Sequence, residues 1–184
     1  MNTPFHELPV LPVVVPLGLV IFAVFLWRLW ARRLLSIPRG ALAAAVAIYA
    51  AGITANTVFP IYLDKPPRTE PWTPALALIP FVDYEVHDAL INVVVFIPLG
   101  ILVALVLERP VWWKVVVIAL GASLAIELLQ LAVQALFLGG HVADVNDLIF
   151  NVSGAAFGLG LYLLATRIPV IDRFADKFRW APEE

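Results

Sequence analysis

The stretch ADVNDLIFNVSGAAFGLGLYLLAT, residues 143–166, decides the fold class because it joins a polar opening to a long apolar run. A helix needs roughly 20 mostly apolar residues to cross a bilayer, and this run is about that long. Its opening carries Asp144, Asn146, Asp147 and Asn151, side chains that are costly in hydrocarbon. The stretch therefore predicts a membrane helix whose polar end faces other helices or water.

The composition of the whole chain is that of a membrane protein. Charged residues make up 14% of the 184 and hydrophobic residues 62%, whereas about a quarter of a soluble domain is charged. The absence of cysteine excludes disulfides, thiolate nucleophiles and zinc–thiolate sites. We expect an all-α, polytopic membrane helical bundle that forms a single membrane domain over residues 1–184. We expect no cofactor, no metal site and no nucleic-acid partner.

Five apolar stretches are long enough to be transmembrane helices. They cover residues 11–30, 41–63, 89–107, 111–138 and 145–166. The prolines and charges of residues 64–88 prevent a continuous helix between the second and third spans. We predict an external loop there with a re-entrant or surface piece, and Trp72 and Tyr84 as anchors in the headgroup region.

The basic residues predict the orientation of the chain. They cluster after the first, third and fifth spans: Arg28, Arg32, Arg33, Arg39, Arg109, Lys114, Arg167, Arg173, Lys177 and Arg179. Only Lys65 and Arg68 fall on the other side of the predicted membrane. Because positive charge is retained in the cytoplasm, the amino terminus is predicted outside and the tail, residues 167–184, inside.

Polar residues of the last three spans lie at similar depth in the predicted outer half of the membrane. They share helix faces by their spacing: Asp88 and Asn92 on the third span, Glu127 and Gln130 on the fourth, and Asp147 and Asn151 on the fifth. We expect an outward-facing polar cavity walled by these three spans, with Glu127 at its floor and Asp88 and Asp147 nearer its rim. Gly154 and Gly158 form a small-xxx-small pair that predicts close helix packing beneath it.

Three ordered motifs resemble a known family. DALINVVVFIPLG (88–100), IELLQ (126–130) and HVADVNDLIFNVSGAAFGLG (141–160) are similar to the successive signatures of the VanZ-like family, over about residues 78–164. The matching positions are Asp88, Asn92, Glu127, Gln130, Asp144, Asp147, Asn151, Gly154 and Gly158. Two positions depart from the pattern, because His141 replaces the usual Arg and Asn146 replaces a frequent Asp.

The resemblance implies a multi-pass protein of the bacterial plasma membrane. It also implies a link to glycopeptide (teicoplanin) resistance or to handling of the cell envelope. The partner it implies is a glycopeptide antibiotic or a cell-wall lipid precursor.

Several functions are compatible with these residues. In the first, Asp88, Asn92, Glu127, Gln130, Asp147 and Asn151 bind an amphiphile such as a membrane lipid or glycolipid by its headgroup. In the second, the protein is a membrane hydrolase or transferase with Glu127 or Asp147 as general base and His141 as acid or metal ligand. Transport is a third, although the inner halves of the spans are almost wholly apolar.

The polar stripes also have a purely structural interpretation. Asn92 and Asn151 would bond across helices, Gln130 would hold Glu127 neutral, and Asp144 would cap the fifth helix. Association of copies of the chain into homo-oligomers through the glycine faces is a further alternative.

Overall fold

The computed structural model describes residues 5–66, 69, 73–82, 84–107, 110–137 and 143–181. Its elements, in chain order, are α1 (Leu11–Ala31), α2 (Ile37–Val58), β1 (Leu76–Ala77), α3 (Val86–Val106), α4 (Trp112–Phe137), β2 (Ala143–Asp144), α5 (Val145–Ala165) and α6 (Pro169–Asp176). Helices α1 to α5 are long and apolar enough to cross a membrane. The predicted all-α membrane bundle of five spans is confirmed, while the orientation of its termini stays a prediction.

The second span differs most from its predicted bounds, because proline rules outweigh hydropathy there. Helix α2 begins at Ile37, with Pro38 in its first turn where a missing N–H costs nothing. It ends at Val58 because Pro60 disfavours the helical conformation at the preceding residue, and Phe59 is extended with ψ of 152°. The apolar residues 59–63 therefore lie outside the helix, and Phe59 and Ile61 are buried at its end.

Helices α3 and α5 form the closest contact of the bundle, running parallel with their backbones touching. A Cβ atom added to Gly154 or Gly158 on α5 would collide with the carbonyl oxygens of Val93 and Ile97 on α3. Gly100 on α3 meets the Ala155 carbonyl in the same way. These glycines allow the two polar helix starts to lie side by side.

The starts of α3 and α5 define what we call the acidic end of the bundle, marked by Asp88, Asp144 and Asp147. Strands β1 and β2 pair in parallel there and tie the loop before α3 to the start of α5. The amide oxygen of Asn146 accepts a 2.7 Å hydrogen bond from the backbone N–H of Phe81. The predicted surface piece is therefore a short strand and turn fastened to α5, and the predicted anchor Trp72 lies outside the described residues.

The opposite end, which we call the basic end, carries Arg28, Arg32, Lys114 and Arg167. The chain after α6 packs back onto this end. Trp180 is buried against Leu29 and Leu34. Arg39 fixes the tail by donating hydrogen bonds to the carbonyl oxygens of Arg179 and Ala181. Arg68 and Arg109, which also entered the prediction of orientation, lie outside the described residues.

Candidate functional site

A cavity of about 640 Å³ opens at the acidic end between α2, α3, α4 and α5. The six residues predicted to bind all line it: Asp88, Asn92, Glu127, Gln130, Asp147 and Asn151. Helix α2 forms a further wall with Tyr49, Gly52, Ile53, Asn56 and Thr57. The expectation of three walls from the last three spans therefore missed the contribution of α2.

Glu127 lies at the depth where α4 meets the start of α5. Its side chain is only 5% exposed, and its carboxylate accepts a 3.0 Å hydrogen bond from the backbone N–H of Asp144. The side chains of Glu127 and Asp147 line the same cavity. Asp144 itself is the N-cap of α5, since its side chain accepts from the N–H of Asn146 at 2.8 Å.

Asp147 is also held from the other side of the cavity. The side-chain amide of Asn92 on α3 donates to its carboxylate at 2.5 Å. The contact between the backbones of α3 and α5 brings these two side chains together at the same depth. Asp88 lies one turn nearer the start of α3 than Asn92 and is exposed. The carboxyls of Glu127 and Asp147 are thus each held by a hydrogen bond, whereas Asp88 is exposed at the rim.

Two amides of the cavity are only half satisfied. Asn151 is 4% exposed and donates to the hydroxyl of Ser123 at 2.9 Å. Gln130 donates to the carbonyl of Thr57 at 2.9 Å, rather than to Glu127 as the structural interpretation of the stripes supposed. The amide oxygens of both Asn151 and Gln130 are buried and have no hydrogen-bond partner within the described part of the chain.

The unpartnered amide oxygens indicate that a fitting ligand should donate hydrogen bonds. Leaving a buried acceptor unsatisfied costs about 1–3 kcal/mol, and the native structures of proteins usually supply a partner for it. The carboxyls of Asp88, Glu127 and Asp147 also line the cavity, and no Lys or Arg is found among the described residues that do so. The remaining polar side chains of the lining each already donate a hydrogen bond within the protein: Tyr49, Asn56, Thr57 and Asn92. The site therefore offers acceptors and needs donors.

Pro98 lies within α3, just after the residues of this helix that line the cavity. Pro98 has no N–H to continue the helix, so the preceding turn is less completely bonded. The hydroxyl of Tyr49 on α2 donates to the carbonyl of Val95 in that turn at 2.9 Å.

Three residues that contribute to this region were not predicted from the sequence: Tyr49, Gly100 and Ser123. Ser123 could have been found from its position one turn before Glu127, and Tyr49 from its place two turns before Asn56.

The residues of the predicted hydrolase or transferase lie only partly within the described part of the chain. Glu127 and Asp147 line the same cavity, but His141 lies outside the described residues. Within the ranges that the structure describes, no group of three or more His, Asp or Glu side chains could hold a metal ion.

Of the comparisons with known proteins, a family profile gives a match. No curated protein and no solved structure matches the chain. A family profile described as VanZ/LLP1 matches residues 46–166, which is more than half of the chain and extends the resemblance from the last three spans to α2. All residues that line the cavity fall within the match. The chain is therefore a multi-pass membrane protein that belongs to the VanZ/LLP1 family.

Proposed function

We propose that this protein binds the polar head of a membrane lipid or glycolipid in the cavity at the acidic end. The observation that carries the proposal is the pair of buried, unpartnered amide oxygens of Gln130 and Asn151. A headgroup with hydroxyl or ammonium donors satisfies them, and each donor to Asp147 or Asp88 adds a charge-assisted hydrogen bond. Such a bond contributes about 1.5–3 kcal/mol, roughly twice an uncharged one.

The same groups select against a phosphate as the part of the headgroup that is recognised. A phosphate brings only acceptors and negative charge, and it would lie beside Glu127 and Asp147 with no described cation to balance it. Sugar hydroxyls and amines are the headgroup chemistry that fits. A cell-wall lipid precursor bears such groups on its sugars and peptide, and so does the glycopeptide antibiotic suggested by the link of the family to teicoplanin resistance.

The shape of the cavity also suits an amphiphile. It reaches the lipid-facing surface between α2 and α3, where Ile91 and Val95 are exposed and Gly52 has no side chain. A tail can leave through this gap without crossing the polar rim. By the distribution of basic residues, the acidic end faces the outside of the cell, the compartment in which glycopeptides and completed envelope precursors occur.

Photocrosslinking tests the proposal at two neighbouring positions of α3. A photoreactive residue at Ile91 faces the cavity, while one at Val94 lies about one turn away and faces bulk lipid. In native membranes, we expect Ile91 to capture a lipid with a sugar or amine headgroup and Val94 to capture the average membrane phospholipids. The Asn151→Leu background should abolish the difference. Identical lipids at both positions would refute selective binding.

One observation favours a second function, a hydrolase or transferase of such a lipid. Glu127 is 5% exposed and lines the same cavity as Asp147. Because like charges repel in a site shielded from water, these two carboxyls are suited to sharing and transferring a proton. Glu127→Gln keeps an acceptor for the N–H of Asp144 and removes the proton transfer. Turnover of a purified cell-wall lipid precursor that is lost in Glu127→Gln, with capture at Ile91 retained, would establish this function over binding alone.

A further inference from the structure

A second groove of about 550 Å³ lies at the basic end, between α1, α2, α3 and α4. Its wall is apolar and includes Leu102, Val103 and Ile118, while its rim carries the side chains of Arg28, Arg32 and Lys114. None of the described residues that line it is an Asp or Glu. The charged side chains of the groove are thus basic, whereas those of the cavity at the acidic end are acidic.

The cations of the rim come from two helices that face each other. Arg28 and Arg32 are four residues apart, on one face at the end of α1, and Lys114 faces the groove from the first turn of α4. An anion between α1 and α4 would lie close to the positive charges of Arg28 and Lys114, and a phosphate suits the guanidinium fork of an arginine.

Exposed tryptophans place these cations at the depth of the lipid headgroups. Trp27 and Trp30 on α1, and Trp112 and Trp113 on α4, are all exposed at this end. Tryptophan is enriched where the hydrocarbon meets the headgroups. The apolar wall of the groove extends from this level toward the middle of the bundle, along Leu102 and Ile118.

We propose that this groove binds one anionic phospholipid. Its phosphate lies between Arg28 and Lys114, and one acyl chain lies along Leu102, Val103 and Ile118. This lipid belongs to the leaflet opposite the cavity, so the proposal does not depend on the proposed function. It fills the space that separates α1 and α2 from α3 and α4, and it therefore stabilises the association of the two helix pairs.

Native mass spectrometry of the purified full chain tests the proposal with phosphatidylglycerol and phosphatidylcholine of identical acyl chains. We expect one phosphatidylglycerol to bind at least about tenfold more tightly than phosphatidylcholine, because each basic residue near the headgroup adds to the affinity for an anionic lipid. Arg28→Gln with Lys114→Gln should remove most of this preference. The control pair, Arg167→Gln with Lys177→Gln, removes the same charge from exposed positions at the same end and should keep it.

A second variant tests the apolar wall without changing any charge. Ile118→Trp places a larger side chain in the groove from a position that is 40% exposed, so the fold should tolerate it. We expect it to weaken phosphatidylglycerol binding, whereas inorganic phosphate at the same concentration should not displace the lipid. An unchanged preference in the Arg28 and Lys114 pair, an equal loss in the control pair, or displacement by inorganic phosphate would overturn the proposal.

Discussion

Replacement of Gly158 by alanine should separate α3 from α5 and destabilise the bundle. The added Cβ atom would overlap the carbonyl oxygen of Ile97, and a backbone atom cannot turn aside as a flexible side chain can. Forcing an extra carbon into a packed interface costs typically about 1–3 kcal/mol. The gain in helix propensity from glycine to alanine, at most about 1 kcal/mol, offsets only part of this cost.

Gly160→Ala is the matched control for this prediction. It lies two residues further along α5, and a Cβ atom there would meet nothing within 4 Å. We expect Gly160→Ala to be neutral or slightly stabilising and Gly158→Ala to lower the free energy of unfolding. The Gly154→Ala and Gly158→Ala double variant should lose less than the sum of its parts, because one separation of the helices relieves both overlaps.

Reversible unfolding in mixed detergent micelles, followed by circular dichroism of the helices, measures these differences. Separation of α3 from α5 should also lengthen the hydrogen bond between Asn92 and Asp147, so capture of lipid from Ile91 should fall in Gly158→Ala. Equal stability of the Gly158→Ala and Gly160→Ala variants would refute the reasoning, since it would mean that the two backbones do not touch.

Three further predictions concern the elements that hold the ends of the bundle. Trp180→Ala should lower the free energy of unfolding by about 3–5 kcal/mol because the indole is buried against α1. Phe174→Ala, at an exposed position, should change it little. Equal shifts of the melting temperature in the two variants would contradict the packing of the tail onto the bundle. Arg39→Lys should lower the free energy of unfolding by about 1.5–3 kcal/mol in the same assay. The guanidinium group of Arg39 donates to three backbone carbonyls, which a single ammonium group cannot reproduce. Wild-type stability of this variant would show that these bonds are dispensable. Asn146→Asp keeps the acceptor for the backbone N–H of Phe81 and Asn146→Leu removes it, so hydrogen exchange at Phe81 should accelerate only in Asn146→Leu; fast exchange in both would contradict this contact.

The helices were predictable because each property that defines them is local. Length and hydropathy of a segment suffice to mark a membrane span, and the helical period assigns residues such as Asn92 and Asp88 to one face. The bounds of α2 were less predictable from hydropathy alone. They depend on Pro38 and Pro60, whose steric rules act on single residues within an apolar run.

The partners of the polar residues depend on tertiary packing that no local pattern encodes. The sequence could indicate that Asn151 faces a neighbouring helix, but not that the neighbour is Ser123. The sequence places Asn56 and Thr57 toward the outer end of the second span, but not in the wall of the cavity, because side chains that donate to carbonyls one turn back on their own helix are compatible with any apolar helix. Gly100 likewise resembles any glycine in a membrane helix until the backbone of α5 is seen against it.

The packing beneath the cavity bears on whether the site can be part of a transport path. Along α5, the buried positions from Asn151 to Tyr162 are Gly154, Ala155, Gly158 and Leu159. At 1.5 Å per residue, this leaves about 16 Å of helix on which no described side chain that is buried is polar.

The neighbouring helices close the same layer. Phe96 on α3 is 2% exposed, and Ala119 on α4 and Ala155 on α5 are fully buried against it. An ion crossing this layer would lose its hydration without gaining a ligand, and the contact of the α3 and α5 backbones leaves no space for water between these two helices. A path between α3 and α5 would require them to separate, which breaks the most closely packed interface of the bundle. In this arrangement, the cavity opens at the acidic end, and the packed layer of Phe96, Ala119 and Ala155 lies between it and the basic end.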